Sequence, residues 1–497
     1  MTTASQFVEV QPTVKRFLER EHGLLIGGRW VPASDGRRFD VEDPATGKVI
    51  ATAAAGNTAD VDAAVRAARA AFDGPWSRMT PPQRTRLLLR LADLIEANAA
   101  EIALIETHDV GQPAWLSVAG AAGAPDVVRY FAGWSGKIGG ETVTPNAAGE
   151  WHAYTVREPM GVVGLIVPWN SPFGTTIHKL AALLAAGCTT VIKPAEETPL
   201  STIRLGELVQ EAGFPEGVVN IVTGFGETAG AALVAHDGVD KISFTGSTET
   251  GKAILRASAG TMKRVTLELG GKSPVIIMPD ADLDKAIEAT AGGIFLNSGQ
   301  ICVAGSRLFA HRKVYDQIVE GVAARAAQMR VGPGTEAETQ MGPLVSRTQL
   351  ERVMGYVESG RKEGAEVVAG GTRLGEDGYF LQPTVLADTQ STMAVMREEI
   401  FGPVLCATAF DDETIDQIAA EANNTIYGLA ACIWTRDLSA AHKLARRIKA
   451  GTIKINTREF PENTLPFGGF KQSGFGRERG RAGVEMYTEV KSVLIGL

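Results

Sequence analysis

Cys302 stands in the run SGQICVAGSR (298–307), between Ile301 and Val303, and Glu268 stands in TLELGGKSP (266–274). A thiol is a strong nucleophile toward carbonyl carbon, and a carboxylate can take a proton from a thiol or a water. A free thiol with a pKa of about 8.5 is only slightly ionised at neutral pH, so the groups around it decide whether it reacts. No histidine falls within eight positions of Cys302, and His178 and His311 sit in no recognisable cysteine–histidine signature. Glu268 comes near the end of the strand-like RVTLEL (264–269), just before two glycines, with Val265, Leu267 and Leu269 around it. A carboxyl there is partly desolvated, which raises its pKa toward that of a useful general base. Taken singly, each residue also has a plainer reading. A lone cysteine in a chain of this size is more often structural, and the glutamate could face water from an edge strand.

The elements that must position these groups alternate. GVVGLIV (161–167), CTTVI (188–192), GVVNIV (217–222), KISF (241–244) and RVTLEL are short β-rich runs separated by helical stretches such as TTIHKLAALLAAG. This alternation predicts a doubly wound α/β unit with a parallel sheet. A second α/β series follows in PVIIM (274–278), RLFAH (307–311), VVA (367–369), LCATAF (405–410), LAACIW (429–434) and GTIKIN (451–456). Residues 24–54 read as short antiparallel strands, and 58–134 as helical. WHAYTVREPMG (151–161) and the tail YTEVKSVLIGL alternate without an accompanying helix, as edge strands do.

Ligands of open α/β sheets bind beyond the carboxyl ends of the strands. Here those places hold PWNSP (168–172), KPAEETP (193–199), TGFGETAG (223–230), TGSTETG (245–251) and GGKSP (270–274). TGSTETG opens a helix with Ser247 and Thr248 as cap candidates and Glu249 in the first turn, a place suited to a pyrophosphate. Its spacing is not G-x-G-x-x-G, and taken alone an ordinary capped helix after a turn is the plainer reading. Glu196, in a loop after a strand, has the chemistry to accept hydrogen bonds from ribose hydroxyls. A solvated Glu196 and a solvated Lys193 are the alternatives.

The 497 residues are enough for about three domains, or two with elaborations. A composition of 44% hydrophobic and 21% charged residues is that of a soluble globular chain, and the net charge of −8 argues against nucleic acid as a partner. Cys188, Cys302, Cys406 and Cys432 form no C-x-x-C pair, so a reducing, cytoplasmic setting is expected. The first residues lack a signal-peptide core, and no run of about 18 apolar residues occurs, so no membrane association is expected. Seven histidines, none at ligand spacing, argue against a metal site.

Eight segments in order, IVPWNSP, IKPAEETP, FTGSTETG, LELGGKSP, GQICVAGSR, EEIFGPV, YGLAA and PFGGFKQSGFGRE, resemble the signature segments of the aldehyde dehydrogenase superfamily, over residues 24–495. The resemblance implies two doubly wound α/β domains and a small antiparallel β oligomerisation flap. Residues 1–139 and 160–269 would form the dinucleotide-binding domain, 270–480 the catalytic domain, and 140–159 with 481–497 the flap. It implies that Cys302 is the nucleophile, Glu268 the general base, and Asn170 the oxyanion donor together with the Cys302 backbone N–H. Lys179 and Glu478 match a proton relay behind the base. Lys193 and Glu196 match adenosine-ribose contacts, Trp169 and Ser247 pyrophosphate contacts, and Thr245 and Gly246 the nicotinamide side. Glu399 and Phe401 match the nicotinamide-ribose clamp, and Ile166, Gly226, Phe244, Leu269 and Gly270 complete the cofactor set.

The implied reaction is oxidation of a small-molecule aldehyde to an acid, through a cysteine thiohemiacetal and a thioester that a Glu-activated water hydrolyses. The carboxylate of Glu196 favours NAD, with NADP possible. A homodimer or homotetramer is expected. A CoA-acylating relative, a thiol hydrolase and a non-catalytic scaffold are the rival readings; Glu268, the nucleotide loops and the intact triplet weigh against each in turn. Ser171, Thr175 and His178 stand where bulkier or aromatic residues are common in the family, which suggests a wider, more polar tunnel flanked by Phe460 and Phe467.

Overall fold

The computed structural model describes residues 3–458 and 463–497, with two large sheets and two small ones. The first large sheet has eight strands, in the order Gly474–Phe475, Arg264–Glu268, Lys241–Thr245, Val162–Ile166, Thr189–Lys193, Val219–Ile221, Leu24–Ile26, Arg29–Val31. Its five inner strands run parallel, and the flanking pairs are antiparallel. These strands are almost wholly buried on both faces, which is why they read as continuous apolar runs. Helices Pro172–Ala186 and Leu200–Ala212 close with Gly187 and Gly213 in the left-handed region, the usual stop where the chain must turn into the next strand.

The second large sheet has seven strands, in the order Glu366–Ala369, Thr384–Ala387, Val404–Phe410, Arg307–His311, Pro274–Ile277, Ala430–Trp434, Thr452–Ile455. All neighbours pair in parallel except Glu366–Ala369, an antiparallel edge strand, unlike the parallel series expected from its sequence. The strand Thr384–Ala387 is not among the runs expected from the sequence and is fully buried.

Strand Trp151–Pro159 pairs antiparallel with Thr488–Gly496 over nine residue pairs and with Thr142–Val143. The alternating tail therefore finds its partner within the same chain. Near the amino end, Arg38–Asp43 and Lys48–Ala54 form the expected hairpin, and Glu21–His22 adds to it in parallel. The helix Thr3–Leu18 leaves no clear trace in the sequence because Pro12 lies inside it; Val14 and Phe17 bury its inner face.

The chain crosses between the two large sheets at Leu269–Ser273 and returns at Gly474–Phe475, which pairs with Leu267 and Glu268. Glu268 thus lies between two hydrogen-bonded neighbours rather than on an open edge.

Candidate active site

The segment carrying Cys302 is held in a rarely used backbone shape. Helix Leu283–Phe295 is capped by the Asp282 carboxylate and is followed by three consecutive left-handed residues, Asn297 (φ 49°), Ser298 (55°) and Gly299 (71°). Such angles cost energy for residues other than glycine, and neighbours must enforce them. Ser298 Oγ donates to the Gly342 carbonyl at 2.7 Å, Gln300 Oε1 accepts from the Val345 N–H at 2.9 Å, and Gln300 Nε2 donates to the Asn297 carbonyl at 3.3 Å. At Gly299 the carbonyl of Gly402 lies 2.0 Å from where a Cβ would be, so no side chain fits.

Asn170, four residues past Ile166, reaches this segment from the other sheet. Its Nδ2 donates to the Gln300 carbonyl at 2.8 Å. Its backbone carbonyl accepts from Asn297 Nδ2 at 3.0 Å and Gln112 Nε2 at 3.1 Å. An amide nitrogen carries two protons, so one donor of Asn170 is left for a ligand.

Glu268 is 4% exposed, and neither carboxylate oxygen has a hydrogen-bond partner. Burial pushes its pKa well above the usual range and the negative Glu478 adds to this, against the pull of Lys179, Arg477 and Arg479. Glu478 forms an ion pair with Lys179, whose ammonium also donates to Ser243 Oγ at 3.2 Å. Ser243 Oγ is in turn 3.2 Å from the Tyr487 hydroxyl. Burial, then the charges of Glu399 and Glu268, push the half-buried Cys302 thiol up to about 12.

Cys302, Glu268, Asn170 and Glu478 line one cavity of about 610 Å³. Trp169, Thr245, Gly246, Ser247, Leu269, Gly270, Glu399 and Phe401 line it as well. The Trp169 and Phe401 rings meet edge to face, 5.2 Å between centroids, and Phe401 takes a left-handed φ of 59°. Glu399 Oε1 accepts from the Gly271 N–H at 2.8 Å, and burial raises its carboxyl to about 7. Ser247 caps helix Thr248–Ser258 by accepting from the Thr250 N–H, and the buried Thr245 Oγ1 has no partner.

The remaining expected residues lie outside this cavity. Lys179 stands behind Glu478. Phe244 is buried in the apolar core directly below Gly246, where its ring lies 2.4 Å from the position of a Cβ. Ile166 pairs with Lys193 at the sheet's carboxyl edge. Lys193 Nζ and Glu196 Oε2 are 2.6 Å apart, and Glu196 Oε1 accepts from the Gly226 N–H at 3.3 Å, so these three form a cluster of their own. Burial raises the Glu196 pKa, but the Lys193 charge and hydrogen bonds outweigh it and leave the carboxyl below its usual value.

Ser171, Thr175, His178 and Phe467 do line the 610 Å³ cavity, and Phe460 lies outside the described residues. His178 is held near 4, chiefly by burial and then by the Arg479 charge, so its ring is neutral. Gln112, Asn297, Gln300, Ser243 and Arg479 are site residues that the sequence does not single out. The only available signal was the turn-prone N-S-G triplet before Cys302.

A model of the aldehyde dehydrogenase family matches residues 30–493. The chain belongs to the aldehyde dehydrogenase family. The reaction of that family is the oxidation of aldehydes to acids. Among curated relatives, a putative aldehyde dehydrogenase, DhaS, of Bacillus subtilis is 48% identical over 99% of both chains. The mitochondrial aldehyde dehydrogenase of Homo sapiens is 46% identical over 95% of this chain and 91% of its own. Among solved structures, an NAD+ complex of aldehyde dehydrogenase from Bacillus cereus superposes with a TM-score of 0.96, at 48% identity, over 98% of this chain and 99% of that one. As an aldehyde dehydrogenase family member, the chain has its Cys302 loop and the Asn170 loop at the meeting of the two large sheets.

Proposed function

We propose that Cys302 is the nucleophile of an NAD-dependent oxidation of an aldehyde to a carboxylic acid. The observation that carries this reading is the shared cavity: a thiol, a carboxylate with no hydrogen-bond partner, and an amide with a spare donor line one space. The Cys302 thiolate adds to the aldehyde carbon. Asn170 Nδ2 and the Cys302 backbone N–H hold the resulting oxygen anion, a contribution of about 3 kcal/mol for one such donor. Collapse of that anion expels the former aldehyde hydrogen as hydride, which a bound nicotinamide would accept, and leaves a thioester on Cys302; Glu268 then takes the proton of a water that hydrolyses it. Glu478 and Lys179 lie behind Glu268 as the path by which that proton leaves.

The residues around the cavity fit a nicotinamide dinucleotide, which supplies the hydride acceptor when bound. The unpartnered Thr245 Oγ1 and the capped helix start at Ser247 offer polar and anion-binding contacts. The Glu196 carboxylate, kept ionised by Lys193, disfavours a 2′-phosphate and so favours NAD over NADP. Relatives solved as NAD+ complexes agree with that choice.

The three-stranded sheet leaves Val143, Trp151, Val490 and Leu494 exposed, which supports a homodimer or homotetramer joined through this flap. Four free cysteines suit a cytoplasmic setting.

The test is NADH formation at 340 nm from a panel of aldehydes with NAD and with NADP. Cys302→Ala should abolish turnover with every aldehyde while leaving NAD binding measurable. Retained turnover would overturn the reading.

A further inference from the structure

One wall of the reactive cavity carries a cation. Arg479 is half-buried and lines the same space as Cys302, Glu268 and His178. Its charge acts on all three of those side chains, so the guanidinium lies close to the reacting groups. The guanidinium carbon is 5.3 Å from the centre of the Phe467 ring, which lines the cavity too. A guanidinium lying over an aromatic face can still present its N–H edge to a carboxylate. The backbone places Arg479 there at a cost, since its φ of 59° is in the left-handed region that disfavours residues other than glycine. Hydrogen bonds on both sides enforce it. Phe467 and Glu478 exchange two backbone bonds of 2.7 Å, and the Gly480 N–H donates to the Asn463 carbonyl at 2.8 Å. At Gly480 a Cβ would lie 2.5 Å from the Thr464 carbonyl oxygen, so this turn has no room for a side chain after the arginine.

The charge balance of the cavity favours an anion at this wall. Three cations, Lys179, Arg477 and Arg479, act on Glu268 against one carboxylate, Glu478. Glu478 is in an ion pair with Lys179. Among the other carboxyls that line the cavity, burial raises Glu106 and Glu399 to about 7 and Glu268 well above its usual range. These groups leave the wall beside Cys302 net positive. Its other polar side chains are uncharged, with hydroxyls from Ser171 and Thr175 and the neutral ring of His178.

Resting on the aldehyde-oxidation reading, we propose that Arg479 selects an aldehyde that carries a carboxylate at its far end. The carbonyl carbon stays at Cys302, and the carboxylate pairs with the guanidinium through charge-assisted hydrogen bonds. Ser171, Thr175 and His178 give the chain between the two ends a polar border. The oxidation itself is unchanged, and its product is a dicarboxylate. Arg479 is a specificity-determining residue.

The experiment compares kcat/KM, with NAD, for oxo acids and uncharged aldehydes of the same length. The pairs are 4-oxobutanoate with butanal, 5-oxopentanoate with pentanal, and 6-oxohexanoate with hexanal. In the wild type at least one oxo acid, the one long enough to span Cys302 and Arg479, should exceed its alkanal by about tenfold or more. Arg479→Met keeps an unbranched side chain and removes the charge, so that ratio should fall by about tenfold or more. Arg479→Lys keeps a charge without the planar fork and should hold a ratio between those of the wild type and Arg479→Met. A wild type that favours none of the oxo acids overturns the proposal whether or not the variants fold. A ratio unchanged in Arg479→Met overturns it as well, and both results leave aldehyde oxidation in place. Wild-type protein that makes no NADH from any of these compounds would instead overturn the oxidation reading, and the selection with it.

Discussion

The side-chain amide of Asn170 donates to the backbone carbonyl of Gln300 at 2.8 Å, so a loop of the eight-stranded sheet is tied directly to the segment that carries Cys302. The backbone carbonyl of the same residue accepts from Asn297 and Gln112. Asn170→Ala removes both the tie and the spare donor. It should lower kcat by about 10²- to 10³-fold, with a smaller change in the Kd for NAD. A loss confined to KM would mean that Asn170 positions substrate and does not hold the developing charge.

The Cys302 thiol, held at about 12 by burial and by the Glu399 and Glu268 charges, should react slowly as the free enzyme. Its alkylation rate with iodoacetamide should keep climbing as pH rises past 9, since the thiolate is the reacting species. Glu399→Gln removes the larger of the two repelling charges and should speed alkylation at a fixed pH. A plateau near pH 8.5 in the wild type would contradict the electrostatic environment described for this thiol.

Glu106 offers a test in stability. Its carboxyl accepts from the Phe173 N–H at 3.0 Å and from Ser201 Oγ at 2.9 Å, and burial lifts its pKa from 4.5 to about 7 despite these bonds. The folded carboxyl holds its proton more tightly than the unfolded one. Its stabilising share is therefore full below pH 4.5 and is lost as pH rises through about 7. The displacement corresponds to about 3 kcal/mol. Glu106→Gln keeps the acceptor oxygen and removes the titration, so its Tm should fall less than the wild type's over that window in scanning calorimetry. Parallel Tm profiles would rule out a lone, strongly displaced Glu106.

Much of this architecture could be read from local sequence. The parallel strands announce themselves because both faces are buried, and the helix at Ser247 because its cap is a serine at a strand's end. Glu268 is legible as a buried carboxyl because apolar residues surround it in the chain. Other features depend on contacts between distant segments. The strand Gly474–Phe475 is two residues long and exists only because Leu267 and Glu268 lie beside it. The antiparallel turn of Glu366–Ala369 is set by its neighbour Thr384–Ala387, not by its own residues. Gln300 and Asn297 read as ordinary polar residues until the fold brings Val345 and Asn170 to them. The raised Cys302 pKa belongs to the same class, since Glu399 is 97 residues away in sequence.

Glu268 gives the sharpest kinetic prediction, because its two oxygens are buried without partners and its pKa stands well above the carboxylate range. Attack by Cys302 and loss of hydride do not require a base to act on water, whereas hydrolysis of the thioester does. Glu268→Gln preserves shape and removes proton acceptance. In stopped-flow, the first turnover of NADH should be slowed modestly, and steady turnover by about 10²- to 10⁴-fold. The acid limb of the wild-type steady-state profile should lie well above pH 4.5 and vanish in the variant, since only the ionised carboxyl accepts the proton. Equal slowing of both phases would show that Glu268 acts chiefly before the thioester, on the thiol, and would move its role from water to Cys302.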